Sequence, residues 1–222
     1  MRRPDAIIFD FDGTIADTEW PVYVVWREVF EAHGLDLPIE AWVDSIGRAD
    51  NRPLEEVLIE VTGRAPDEAV VAEARVRREA ALRSLRVLPG VIDVIAAARN
   101  GDVALAIASS SPSDWVESHL ERLGLLDEFP VIRTRDHVDR GKPAPDLYLS
   151  VAGALDVDPA DAVAIEDSRH GCAAAKAAGM ACVVVPNRIT THDPPTDADW
   201  VLESLVEFPF AHFGLGSGRS TR

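Results

Sequence analysis

The stretch AIIFDFDGTIADTE, residues 6–19, runs an apolar segment straight into two aspartates, Asp10 and Asp12. Strand side chains alternate between faces, so these two carboxylates are expected on one side of a strand end. Like charges at that separation repel, and solvent or a cation has to offset them. Runs of the same apolar, β-branched kind recur along the chain: VALAIASS (103–110), PVIRT (130–134), AVAIED (162–167), ACVVVP (181–186) and, weakly, DWVL (199–202). Near-continuous apolar runs suit parallel strands covered on both faces. Helical patterns over 113–123, 144–154 and 169–178 separate them. This alternation reads as an α/β fold, a Rossmann-like doubly wound parallel sheet. In such sheets ligands sit beyond the carboxyl ends of the strands.

One long interval breaks the alternation. Between the first strand and LPGV (88–91) the chain offers amphipathic helices instead, over 22–34, 51–63 and 67–85. Gly34 and Gly63 stand where helix-terminating glycines are expected. The expected organisation is an α/β core from 1–16 and 87–213, a helical insertion over 17–86, and a mobile tail over 214–222. The insertion would stand over the strand ends. Internal repeats and long low-complexity segments are absent.

The formal charge of −16, from 22 Lys and Arg against 38 Asp and Glu, argues against nucleic acid and anionic membrane surfaces as partners. A small anionic substrate stays possible if its pocket holds a cation. The two cysteines, Cys172 and Cys182, lie in apolar stretches and read as reduced core residues. No run approaches the ~18 apolar residues of a membrane span, and MRRP at the start lacks the apolar segment of a signal peptide. The expectation is a cytoplasmic protein, monomeric, with a dimer left open. Only two lysines, Lys142 and Lys176, occur in this arginine-rich chain. A lysine kept in such a background points to a need for a compact point charge.

Four strand ends or adjoining loops carry polar groups: Asp10 and Asp12; Ser109, Ser110 and Ser111; the loop RGKPAPD (140–146) with Lys142; and Glu166, Asp167 and Ser168. Each alone has a plain explanation. Asp12-Gly13 suits a turn, Ser111-Pro112 a helix cap, Lys142 a surface loop, and Asp167 and Ser168 helix N-caps. Together they fall at one edge of one sheet and their chemistry is complementary. Asp10, Asp12, Glu166 and Asp167 offer hard oxygen ligands of the kind Mg²⁺ takes. Ser109 and nearby backbone N–H groups suit phosphate oxygens. One aspartate as nucleophile beside another as acid/base, with Lys142 for charge, is the equipment of phosphoryl transfer.

The segments DFDGTIADTE, AIASSSP, GKPAPDLY and IEDSRHGCAAAKAAGM, in this order, closely resemble the four motifs of the haloacid dehalogenase (HAD) superfamily. The likeness is strongest to its β-phosphoglucomutase-like sugar-phosphate phosphatases, whose helical cap has the place and length of the insertion. The resemblance implies that Asp10 attacks phosphorus and that Asp12 serves the leaving oxygen and then the hydrolytic water. It implies that Ser109, Ser110, Lys142 and the Gly13 turn hold the phosphoryl group. Mg²⁺ would lie on Asp10, the Asp12 carbonyl and Asp167, with Glu166 nearby. Asp17 and Thr18 would lie near the hinge to the cap, Thr18 and Glu19 would belong to the cap side of the site, and Arg48 reads either as a surface arginine or as a residue that reaches the substrate, a small phosphorylated metabolite.

Rival readings are separated by single positions. Dehalogenases of this superfamily lack the second aspartate, which is present as Asp12. Schiff-base relatives need a cap lysine, and 17–86 contains none. Mutases carry a cap histidine where Val22 aligns, and an arginine where Asp50 falls, counted from Gly47. A receiver-type regulatory module would be shorter and place its acceptor on a later strand. A non-catalytic phosphate-binding protein would leave some catalytic position unfilled. Of the remaining residues, His170 reads as a surface histidine, Trp20 and Trp42 as packing between cap helices, Arg75, Arg77 and Arg78 as a solvated face, and 188–199 as a surface loop.

Overall fold

The computed structural model of the protein describes residues 3–43, 46 and 54–216. Six parallel strands, β1 (Ala6–Phe9), β2 (Ala104–Ala108), β3 (Val131–Arg133), β4 (Ala162–Glu166), β5 (Ala181–Val184) and β6 (Trp200–Val201), form one sheet in the order β3-β2-β1-β4-β5-β6. The chain thus starts in the middle and winds outward in both directions. In register, Phe9 faces Ile107 on one side and Ile165 on the other. Asp10 therefore lies between Ala108 and Glu166, with Ser109 one residue further on, and the three polar residues are neighbours at one sheet edge.

The two faces of the sheet differ in size of side chain. Ile7, Phe9, Leu105, Ile107, Val163 and Ile165 point to one face, where α5 (Val91–Asn100) and α6 (Ser113–Leu123) cover them. Ala6, Ala106, Ala108, Ala162 and Ala164 point to the other, beneath α7 (Asp146–Leu155) and α8 (Arg169–Ala177). Alternation along each strand sorts these two sets. Small residues on the second face leave room beneath α7 for the large ring of Tyr148, which is wholly buried.

Among the described residues, four helices lie between β1 and α5: α1 (Glu19–Ala32), α2 (Ile39–Val43), α3 (Leu54–Thr62) and α4 (Glu68–Arg83). They pack around their own cluster, which includes Tyr23, Trp26, Phe30, Trp42 and Leu58. Gly34 and Gly63 follow α1 and α3 with φ of +74° and +68°, left-handed conformations that end a helix cheaply only at glycine. The outgoing and returning chains are tied where they pass, Leu88 N–H donating to the Ile15 carbonyl at 2.8 Å.

Several expectations need correction. Helices α2 and α5 have no counterpart in the sequence reading. His170 is buried, not exposed, and so are Ile189 and Thr190 in the segment read as a surface loop. Ile189 joins the cluster of the inserted helices. Leu215, assigned to the mobile tail, is buried against the first face of the sheet, while 217–222 fall outside the described residues. Both cysteines are buried and free.

Candidate active site

The strand ends deliver their charges to one buried point. The Lys142 ammonium lies 2.5 Å from Asp10 Oδ1 and 2.6 Å from Glu166 Oε1, with 2% of the residue exposed. Tyr148 donates to the same Glu166 oxygen at 2.6 Å, and its ring lies under the lysine at 5.2 Å. Burial alone would lower the lysine pKa; the carboxylates of Asp10 and Glu166 more than reverse that and leave it raised. The lysine is firmly charged. Its single charge is divided between two carboxylates, and a third, Asp167, stands beside them.

The balance is therefore negative. Asp10 titrates well above the usual carboxylate range, through burial first and then Glu166 and Asp12, against the pull of Lys142. Asp167 is raised likewise by burial, Asp10 and Glu166. Ligand oxygens of Asp10, Glu166 and Asp167 lie within 4.8 Å of one another. Three buried hard-oxygen donors with one shared lysine fit a divalent cation, whose charge would favour the ionised form of Asp10 and Asp167. Glu166 is the most committed of the three, since its second oxygen also accepts from Asp167 N and the Ser168 hydroxyl, at 3.3 and 3.4 Å.

Local backbone explains the crowding. Gly13 has φ +83°, and a Cβ there would strike the Asp167 carboxylate and come within 2.6 Å of Asn187 Nδ2. A Cβ on Gly171 would strike the Glu166 carboxylate. Both glycines are openings through which an acid reaches the site.

Asp12 lives differently. Its carboxylate stands outside the acidic group and accepts from four side chains: Thr18 Oγ1 at 2.7 Å and Trp115 Nε1 at 2.9 Å on Oδ1, Ser111 Oγ at 2.6 Å and Ser109 Oγ at 3.4 Å on Oδ2. Thr18 occupies the N-cap of α1 without capping it, because its hydroxyl is spent on Asp12. Ser111 likewise caps nothing. The repulsion expected between Asp10 and Asp12 is thus relieved separately, by an ammonium for one and by hydrogen bonds for the other.

Of the residues singled out from sequence, Asp10, Lys142, Glu166 and Asp167 form one contact group, and Asp12, Ser109 and Thr18 a second beside it. Ser110 is half-buried next to Ser109. Glu19 opens α1; burial and then the Asp12 carboxylate push its pKa up to about 8, opposed by a hydrogen bond from Trp42. Arg48, Gly47 and Asp50 lie outside the described residues. Val22 packs against the cluster of inserted helices.

Sequence reasoning missed Tyr148, Trp115 and Asn187. Asn187 follows β5; its amide N–H donates to Asp167 Oδ2 at 2.7 Å, and its carbonyl accepts from Ile189 N and Thr190 N. The rule that sites gather at carboxyl ends of strands would have pointed to it.

The model of the haloacid dehalogenase-like hydrolase family matches residues 7–185. YhcW of Bacillus subtilis (strain 168), named as a phosphatase, is 42% identical over 207 residues, covering 93% of this chain and 94% of its own. The fructose-1-phosphate phosphatase YqaB of Escherichia coli (strain K12) is 36% identical, covering 83% and 97%. The crystal structure of CbbY from Rhodobacter sphaeroides in complex with phosphate superposes with a TM-score of 0.72 at 32% identity, covering 93% of this chain and 96% of that one.

Proposed function

We propose, from the premise that the chain belongs to the haloacid dehalogenase-like hydrolase family, that it is a Mg²⁺-dependent phosphatase of a small sugar phosphate working through a phosphorylated Asp10. The relatives' names support the reaction class, hydrolysis of phosphoric monoesters. The observation that carries the mechanism is the opposite treatment of two acids two residues apart: Asp10 meets a single ammonium, whereas Asp12 is held by four donors. The first suits a nucleophile and the second a positioned acid/base.

In the first step an Asp10 oxygen bonds to phosphorus, the bond from phosphorus to the substrate oxygen breaks, and Asp12 gives that oxygen its proton. In the second, Asp12 takes a proton from water, the water oxygen bonds to phosphorus, and the bond to Asp10 breaks. The sum is ester plus water to alcohol plus inorganic phosphate. Ser109, Ser110, Lys142 and the Gly13 turn would hold the phosphoryl oxygens. Asp10, Asp167 and the Asp12 carbonyl, with Glu166 behind them, would hold Mg²⁺, which when bound supplies positive charge against the phosphoryl oxygens and the buried acids. We read 17–86 as a cap that excludes water and selects the alcohol, with Glu19, Thr18 and Arg48 among its contributors.

The test is phosphate release from hexose, pentose and deoxysugar phosphates, phosphoglycolate, nucleotides and β-glucose 1-phosphate, with Mg²⁺ and with EDTA. Release that needs Mg²⁺ and peaks on one sugar phosphate supports the reading and names the substrate. Conversion of β-glucose 1-phosphate to glucose 6-phosphate without release would replace it by a mutase.

A further inference from the structure

We propose that Trp115 is a positioning residue of the hydrolysis, holding Asp12 by Oδ1 so that Oδ2 is the oxygen that gives and takes the proton. This rests on the reading of Asp12 as the acid/base. The two Asp12 oxygens differ by one kind of neighbour, the indole N–H. Oδ1 faces Thr18 and the Trp115 indole N–H at 2.9 Å; Oδ2 faces the hydroxyls of Ser111 and Ser109. An indole N–H donates and never accepts, whereas a hydroxyl does either. A proton on Oδ1 would have only the Thr18 hydroxyl to accept it and would weaken the bond from the indole N–H. On Oδ2 both neighbours are hydroxyls, and either Ser111 or Ser109 can turn round and accept a proton there. Oδ2 also lies on the side of Ser109, beside the proposed phosphoryl site.

The indole is itself fixed. Its ring packs against His119 with centroids 4.3 Å apart and planes tilted by 41°, His119 Nδ1 lies 2.8 Å from the Trp115 carbonyl, and the His119 ring meets Phe11, the residue before Asp12, at 5.9 Å. Thr18 belongs to the inserted segment, while Trp115 belongs to the core. The hold on Oδ1 by Trp115 therefore does not depend on where the inserted helices stand. Packing alone has no need of an N–H aimed at this carboxylate.

The test compares two esters in wild type and Trp115→Phe: p-nitrophenyl phosphate, whose phenolate leaves without a proton, and the sugar phosphate that wild type hydrolyses fastest. Loss of the indole N–H is expected to lower the sugar-phosphate kcat by about tenfold or more, a share of the ~10²–10⁴ that general acid–base catalysis contributes. KM should stay nearly constant, and the initial burst of p-nitrophenol should slow far less. Equal loss on both esters, or none on either, would overturn the proposal. A second measurement does not need the variant to be active or stable. In wild type labelled with ¹⁵N-tryptophan, one indole N–H signal should shift upfield when Asp12 is changed to Asn; five unmoved indole signals would equally overturn it. Wild type inactive on every ester would sink the phosphatase reading itself, a result distinct from an active wild type matched by its Trp115→Phe variant.

Discussion

Lys142 in the core and Arg77 in the inserted helices are each set against two carboxylates, and the resemblance ends there. Lys142 faces Asp10 and Glu166 with 1% of its side chain exposed. Arg77 faces Glu28 at 3.0 Å and Glu73 at 3.9 Å with 48% exposed. Around Arg77 water screens every charge, so partners are interchangeable and the pair adds little. Around Lys142 no water substitutes for a missing partner, so each charge depends on the others. The same residue types thus make a replaceable surface in one region and an interdependent site in the other. Chemistry belongs to the second, because only there does the surrounding protein determine how strongly an acid holds its proton.

Asp10→Asn tests this dependence most severely. Turnover should fall by at least about 10³-fold, since the amide cannot attack phosphorus. The fold should survive, because the amide keeps the size of the side chain and removes a charge that burial disfavours, while Lys142 keeps Glu166 as its partner. Turnover and melting temperature, measured together, decide the matter; an active variant would remove Asp10 from the mechanism. Next in size is Lys142→Met, which leaves Asp10 and Glu166 buried without their cation. A loss of about 3–5 kcal/mol at neutral pH is expected by urea denaturation in EDTA. A loss as small as that of a surface pair would erase the contrast between the two regions.

The same contrast explains what the sequence reveals. Asp10, Asp12, Lys142, Glu166 and Asp167 are legible because polar residues at the ends of apolar strands need a reason. The six strands are legible for the same apolar runs. Trp115, Asn187 and Tyr148 are not, because each looks ordinary along the chain: an aromatic in a helix, a polar residue in a turn, an aromatic at a core position. Their roles exist only once β5 lies beside β4, and α6 and α7 lie over the sheet. Helix α5 escapes because VIDVIAAARN, directly after a Pro-Gly pair, looks like a boundary to the core rather than its first covering helix. The burial of His170 and Ile189 depends on what packs across from them, which no local pattern records.

Glu19 stands between the two regions, on an inserted helix but within reach of the core acids. Its folded pKa of about 8 lies above the ordinary 4.5, so the folded protein keeps a proton that the unfolded chain releases. Stability from this group is complete below about pH 4.5 and is lost as pH rises toward 8. Glu19→Gln should remove that slope. Between about pH 5 and pH 8.5 in EDTA, the wild type should lose on the order of 2 kcal/mol more than the variant, solvent screening included. Parallel denaturation profiles would place Glu19 with the screened surface charges instead.

Arg77→Ala is the smallest effect and sharpens the comparison from the other side. The arginine bridges α4 to Glu28 on α1, the helix pair that brackets the inserted cluster, so a structural role is conceivable on geometry alone. Its exposure argues otherwise. The Glu73 side chain is 72% exposed and that of Glu28 37%, and the Glu28 Oε2 that is covered beside the guanidinium opens to water when the guanidinium is removed, so neither becomes a buried unpaired charge. The expected loss is below about 1 kcal/mol, shrinking further as salt is raised, with kcat unchanged. A loss near that of Lys142→Met would show that α1 and α4 are held together by charge rather than by the apolar cluster of Tyr23, Trp26, Phe30 and Val71 between them. Insensitivity to salt would carry the same message, because only a pair shielded from solvent escapes screening.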